Sequence, residues 1–247
     1  MRVLVTGAAG SIGTKFCAFT KHDAIPTDLD TMDVTSRLQV VDWFLRERPN
    51  AVVHLAAHKY APSGETSPEQ VTRVNVLGTE NVIHAAKLVN ARLVVASTCK
   101  AADPETVYGA SKLIAERLTL NAGGVVARFH NVRETAGNVF EIWRESETVG
   151  WTDAWRYFIG VDEACWLLET ALTLPSGRYM VDPGEARHMK DVASETHPDR
   201  ELVELPLRRG DRDKEPFRAR AERAHPYFGN LLKVVGPHDP RRGDDRA

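Results

Sequence analysis

An α/β fold on a doubly wound parallel sheet is predicted by three features of the 247-residue sequence. Short β-branched runs alternate with segments of helical periodicity, as βαβ units require. A glycine cluster occupies the first strand-to-helix turn, and a Tyr/Lys pair at helical spacing follows the fourth strand.

Each element has its own local reason. "RVLVTG" (2–7) is apolar on both faces and ends in glycine, which predicts a buried strand, and a helix follows from Ser11. "AIPT" (24–27) reads as a short second strand. "TSRLQVVDWFLRERP" (35–49) opens on Thr/Ser, places apolar residues at 38, 41, 44 and 45, and stops at Pro49, as a helix does. "AVVHLAA" (51–57) predicts a third strand, 68–90 a helix, "RLVVAS" (92–97) a fourth strand, 108–121 a helix and "GVVARF" (124–129) a fifth strand. Beyond Asn131 only a helix at 161–174 and a strand at 178–181 stand out. The charged, Pro-punctuated run from His197 to Pro226 reads as an irregular appendage, and 236–247 as a mobile tail.

Composition narrows the function classes. A net charge of −2 gives no support for a nucleic-acid or anionic-membrane partner. Three widely spaced cysteines without a CxxC pair argue against a disulfide framework or a metal site, and fit a reducing cytoplasm. No apolar run reaches the roughly 20 residues of a membrane span, and no signal peptide precedes "RVLVTG". The expectation is a soluble, cytoplasmic protein.

"VTGAAGSIG" sets Gly7, Gly10 and Gly13 between strand and helix. Glycines there permit a tight turn and let the backbone approach a pyrophosphate, while the helix start at Ser11 and Ile12 supplies amide donors. Asp28, at the end of the second strand, suits an adenosine ribose and repels a 2′-phosphate, which favours NAD over NADP. Asp33 and Val34 are candidates for the adenine side, although Asp33 equally reads as a helix-start residue before Thr35. Leu55, Ala56 and Ala57 carry the third strand's end past the cofactor, the alanines being small enough for contact. Residues 1–131 thus form an expected Rossmann-type dinucleotide domain, and 132–235 a smaller substrate-binding part interleaved with the sheet.

Tyr108 and Lys112 lie one helical turn apart in "YGASK". A cation beside a phenol lowers its pKa from about 10, so such a tyrosine takes a hydroxyl proton while hydride leaves the same carbon for nicotinamide. Ser97 and Thr98 precede the pair, where a hydroxyl shares that proton.

These motifs resemble the extended short-chain dehydrogenase/reductase family, in particular its polysaccharide-biosynthesis branch of nucleotide-sugar 4,6-dehydratases and epimerases. "STCKAADPETVYGASKLIAE" is similar to the branch's S-T-D-K-A-x-x-P-x-x-x-[YM]-G-A-[ST]-K signature. "HLAAHKYAPSGETSPEQVTRVNVLGTENVIHAA", with Lys59 and Asn75, is similar to its run from third strand into helix. "RFHNV", "RYFIGVDEA" and "LRRGD" resemble its later motifs, in the family's order.

The resemblance implies bound NAD and a nucleotide-diphosphate sugar. Tyr108 takes the C4 hydroxyl proton, hydride leaves C4, and a 4-ketone forms. Lys100 then removes the C5 proton as the C6 hydroxyl leaves, and hydride returns to C6. Lys59 and Asn75 are implied at the cofactor, with Lys59, Asn131, Val132, Arg156 and Arg209 at the substrate. A homodimer or larger assembly through helices 68–90 and 108–121 is implied as well. Cys99 stands where the family has the aspartate that protonates the leaving hydroxyl. A thiol with a reference pKa of about 8.5 donates a proton, or becomes a base if Lys100 lowers it, or is simply packed. Three functions stay open: the dehydratase, a 4-epimerase or 4-oxidoreductase that needs no elimination residues, and a non-catalytic dinucleotide-binding protein. His130 replaces the family's glycine and is expected to crowd the substrate side.

Overall fold

A computed structural model describes residues 1–208 and 210–240. Five parallel strands come first: β1 (Arg2–Thr6), β2 (Asp23–Thr27), β3 (Ala51–His54), β4 (Arg92–Thr98) and β5 (Val125–Phe129). They lie in the order β5-β4-β3-β1-β2, and strand Gly177–Val181 adds in parallel beside β5. The chain leaves β1 for β2 on one side and returns to β3 on the other. That reversal opens a crevice at the strands' carboxyl ends, where such sheets bind ligands.

Alternation of side chains explains why the strands read as unbroken apolar runs. Val3 and Val5 face a cluster with Phe16 of helix α1 (Ser11–Phe19) and with Leu167 and Leu168 of helix Val161–Ala171. Leu4, between them, faces the opposite cluster with Val40 and Phe44 of helix α2 (Arg37–Glu47) and with Val82. The sheet is therefore covered on both faces, as a doubly wound fold requires.

The C-terminal region is more ordered than its composition suggests. Strands Arg223–Phe228 and Leu231–Val235 form an antiparallel hairpin that extends the sheet beyond Gly177–Val181. Gly229, at φ 55°, makes the turn that joins them. Leu202–Glu204 pairs in parallel with Val149–Trp151 over a third small cluster, in which Trp143 and Trp151 are packing residues. Between His197 and Pro226 the described residues are regular only at Leu202–Glu204 and at the start of strand Arg223–Phe228, and the hairpin's inner face, buried Leu231 and Val234, lies beyond that run. In the expected tail, Asp239 pairs with buried Arg178 at 3.0 Å, so 236–240 are tied to the sheet; 241–247 lie outside the described residues. Among the described residues no helix is long and apolar enough to cross a membrane.

Candidate active site

A cleft of about 1260 Å³ opens where β1, β2, β3, β4 and β5 end. Gly7, Gly10, Ser11, Ile12 and Gly13 line it after β1. Asp28, Asp33 and Val34 line it after β2, and Leu55, Ala56, Ala57 and Lys59 after β3. Thr98, Lys100, Tyr108 and Lys112 line the same cleft, with Asn131, Val132 and Arg156. Sequence positions up to 149 apart thus converge on one cavity. Arg209 lies outside the described residues.

The glycine loop is built for a close ligand. A Cβ on Gly7 would meet Ala56 N at 2.7 Å, and one on Gly13 would meet Gly7 O at 2.3 Å. The start of α1 has no side-chain cap and no acidic residue in its first turn, so its amides keep their affinity for an anion. Asp28 is aimed by Ala9, whose amide donates to Oδ2 at 2.8 Å. Uncapped amides beside an oriented carboxylate fit a dinucleotide pyrophosphate and ribose. Ser11 and Lys59 also hold a loop at the rim: Ala136 N donates to Ser11 Oγ at 2.8 Å, and Lys59 Nζ donates to Ala136 O at 2.8 Å. Asp33 makes a local turn ahead of α2, accepting from Thr35 N at 2.8 Å and from its hydroxyl at 2.9 Å, whereas the helix itself starts at Arg37 with Ser36 at its N-cap.

Two expected site residues sit behind the cleft wall. Asn75 is fully buried; its Oδ1 accepts from His58 N at 2.7 Å, and its Nδ2 donates to His58 O and Ser111 Oγ, both at 3.0 Å. Its amide is spent bracing the segment after β3 against the helix of Tyr108, which corrects the expectation of cofactor contact. Cys99 is fully buried as well and does not line the cleft. Burial, then the charge of Glu215, pushes its thiol up to about 12. Burial and the neighbouring carboxylate thus favour the protonated, donating thiol over a thiolate.

Glu215 is the residue that the sequence did not reveal. Its carboxylate, only 3% exposed, lies 2.6 Å from Lys100 Nζ and 3.4 Å from Arg156 Nε. It also accepts from Asn131 Nδ2 at 2.5 Å and from Cys99 Sγ at 3.6 Å. Burial alone would raise this carboxyl; Lys100 and Arg156 outweigh it and hold it at about 2. Burial would likewise lower Lys100, but the Glu215 carboxylate reverses the effect and keeps the amine firmly an ammonium.

Tyr108 and Lys112 adopt the expected spacing on helix Val107–Asn121. Burial pushes the Tyr108 phenol up, while the nearby Lys100 charge and a hydrogen bond with Thr98 pull it down. Burial lowers Lys112 to about 8 against the opposing pull of Glu116. A cation that pulls the phenol down is Lys100.

His130 also lines the cleft, 4% exposed, stacked 5.6 Å from Phe217, and among the described residues both ring nitrogens lack a hydrogen-bond partner. Burial holds it neutral, with a pKa of about 3, and does the same for His54. Both values are depressed below the usual 6.5, so the unfolded chain binds these protons first. Stability is complete above pH 6.5 and is lost as pH falls towards 3, at about 1.4 kcal/mol per pH unit for each histidine. Urea unfolding between pH 7.5 and 4.5 is expected to show this loss, and His130→Phe to flatten it.

The family follows from comparison with known proteins. Residues 22–227 match the model of the polysaccharide biosynthesis protein family. The chain belongs to that family. It is 32% identical over 238 residues to capsular polysaccharide biosynthesis protein CapD of Staphylococcus aureus, which covers 77% of this chain and 39% of CapD. The chain therefore spans well under half the length of that relative. It is 27% identical over 175 residues to the inverting UDP-N-acetylglucosamine 4,6-dehydratase of Campylobacter jejuni, covering 58% of this chain and 52% of the relative. Among solved structures, the UDP-glucose 4-epimerase of Thermus thermophilus in complex with NAD superposes with a TM-score of 0.78. The identity there is 24%, over 87% of this chain and 89% of the other. The resemblance to the polysaccharide-biosynthesis branch and the Rossmann-type fold are thereby shown.

Proposed function

We propose that the protein is an NAD-dependent enzyme that oxidises C4 of a nucleotide-diphosphate sugar, and that the ketone serves a dehydration in polysaccharide or glycan biosynthesis. The observation that carries this reading is the single cleft joining the uncapped glycine loop and Asp28 to Tyr108, Lys112, Thr98 and Lys100. Bound NAD supplies reversible hydride acceptance. Gly7, Gly10 and Gly13 admit it, Asp28 favours it over NADP, and Lys59 closes the rim loop over it.

Tyr108 takes the C4 hydroxyl proton, which Thr98 shares, and Lys100 with Lys112 offsets the resulting negative charge. Asn131, Val132 and Arg156 hold the sugar nucleotide, Arg156 through the fork geometry that suits a diphosphate. Family membership and the dehydratase relative support the loss of water. A second reading, 4-epimerisation or 4-oxidoreduction, is favoured by one specific observation: neither Cys99 nor Lys100 offers a free base for the proton beside the ketone. Apolar Leu77 and Ile114 stand exposed on the two helices expected to pair in a dimer, which supports a homo-oligomer.

The test is to incubate purified protein with UDP-N-acetylglucosamine and UDP-glucose and to weigh the products. Loss of one water supports dehydration, and unchanged mass with inverted C4 supports epimerisation. Binding of both sugars without turnover would leave a non-catalytic dinucleotide-binding protein.

A further inference from the structure

We propose that His54 is a positioning residue for the dinucleotide: its imidazole clips the carboxyl end of β1 to that of β3 and to helix Thr79–Leu88, and so fixes the wall on which the cofactor lies. The inference rests on the dinucleotide reading above and deepens it.

Strand register sets up the clip. Thr6 and His54 are partners at the ends of β1 and β3, where a backbone bond runs from Leu55 N to Thr6 O at 3.1 Å. Gly7 then turns away at φ 69° into the glycine loop. The next amide of the opposite chain, Ala56 N, is caught by the Thr6 side chain instead, donating to Oγ1 at 3.1 Å. Ala56 is also the residue that Gly7 abuts, since a Cβ on Gly7 would lie 2.7 Å from Ala56 N. Thr6 thereby sets how closely these two cofactor-lining segments approach.

The partners fix where each proton sits. Thr79 Oγ1 donates to Asn75 O at 2.7 Å, so towards His54 Nε2, 3.1 Å away, it accepts. Nε2 therefore carries the ring proton, and Nδ1 accepts from the Thr6 hydroxyl at 2.7 Å. The imidazole is neutral in this pattern, and burial, followed by the charge of Lys112, keeps it so.

From Asn75 the bonds continue through Ser111, whose hydroxyl donates to Tyr108 O at 2.7 Å. One chain of hydrogen bonds thus runs behind the cleft wall from Ala56, beside the glycine loop, to the backbone of Tyr108. Thr6, His54 and Thr79 do not line the cleft themselves, so they act on a ligand through the residues they hold.

The experiment measures NAD affinity by calorimetry, with urea midpoints as the control for stability. Thr6→Val keeps the shape and removes the hydroxyl, and should weaken NAD binding about tenfold or more. Thr6→Ser restores the hydroxyl and should stay within about threefold of the natural protein. His54→Phe should weaken binding as Thr6→Val does, and the two losses should not add, because both break the same contact. Thr119→Val deletes another fully buried threonine hydroxyl, one that bonds to Ala115 O within its own helix, and should leave NAD affinity unchanged. Equal weakening in Thr119→Val would overturn the proposal, as would unchanged affinity in both Thr6→Val and His54→Phe.

The imidazole gives a readout that needs no cofactor. In protein labelled with ¹⁵N at histidine, His54 should carry its proton on Nε2 at neutral pH, and Thr6→Val should move the Nδ1 signal. A proton on Nδ1 would refute the clip. Natural protein that takes up neither NAD nor NADP would defeat the dinucleotide reading and the positioning role with it. Variants that bind as tightly as the natural protein would leave that reading standing and defeat the clip alone.

Discussion

Replacing Tyr108 by phenylalanine is expected to lower turnover of a nucleotide sugar by about 10²- to 10⁴-fold, the range for losing a positioned acid–base group. Dinucleotide and sugar-nucleotide binding should change by only a few-fold, because the ring stays and only the hydroxyl goes. Tyr108 is 8% exposed on a long helix, and its backbone N and Cβ lie beside Gly64. A smaller residue would confound catalysis with a cavity; phenylalanine does not. The phenol is held up by burial and pulled down by Lys100, so its proton affinity is set by the cluster around Glu215. Steady-state rates beside calorimetric affinities for Tyr108→Phe separate the two effects. Unchanged turnover would remove the phenol from the chemistry.

Glu116→Ala is expected to cost about 3–5 kcal/mol of folding stability, the penalty for stripping one partner from a buried ion network. Glu116 is fully buried and receives Arg128 Nη2 at 2.6 Å and Arg178 Nε at 2.7 Å. Its other oxygen accepts from Ser97 Oγ at 2.6 Å. Burial would raise this carboxyl, but the two arginines hold it at about 2. Both guanidiniums are fully buried, so the alanine variant leaves two cations sharing Glu222 and Asp239 alone. The network joins helix Val107–Asn121, β5, strand Gly177–Val181 and the segment before the C-terminal hairpin. A urea midpoint shift without a change in slope is the expected signature. Glu222→Gln should cost less, since that carboxylate is 6% exposed and Glu116 remains.

The parallel sheet and most of the cleft were legible in the sequence because they depend on local signals. β-Branched runs mark β1, β3, β4 and β5, and the glycines, Asp28 and the Tyr/Lys pair have fixed offsets from them. Glu215 was not legible. It is one acidic residue in a segment rich in both charges, and its partners lie 116, 115, 84 and 59 positions away. Asn75 misled for the opposite reason: a polar residue in a recognisable motif suggests a ligand, although its amide is consumed by backbone groups of His58. The ion pair of Lys100 with Glu215 was not legible either, because it is made by tertiary contact. The C-terminal hairpin escaped notice because only Leu231–Val235 has a buried face.

The claim that the cleft oxidises C4 of a sugar nucleotide is tested most directly with UDP-N-acetylglucosamine carrying deuterium at C4. The expected result is a product that has lost water, with the label transferred to C6; an inverted sugar with the label returned to C4 would keep the C4 oxidation and replace dehydration by epimerisation. Recovery of the unchanged sugar, with UDP-glucose equally inert, would contradict the account.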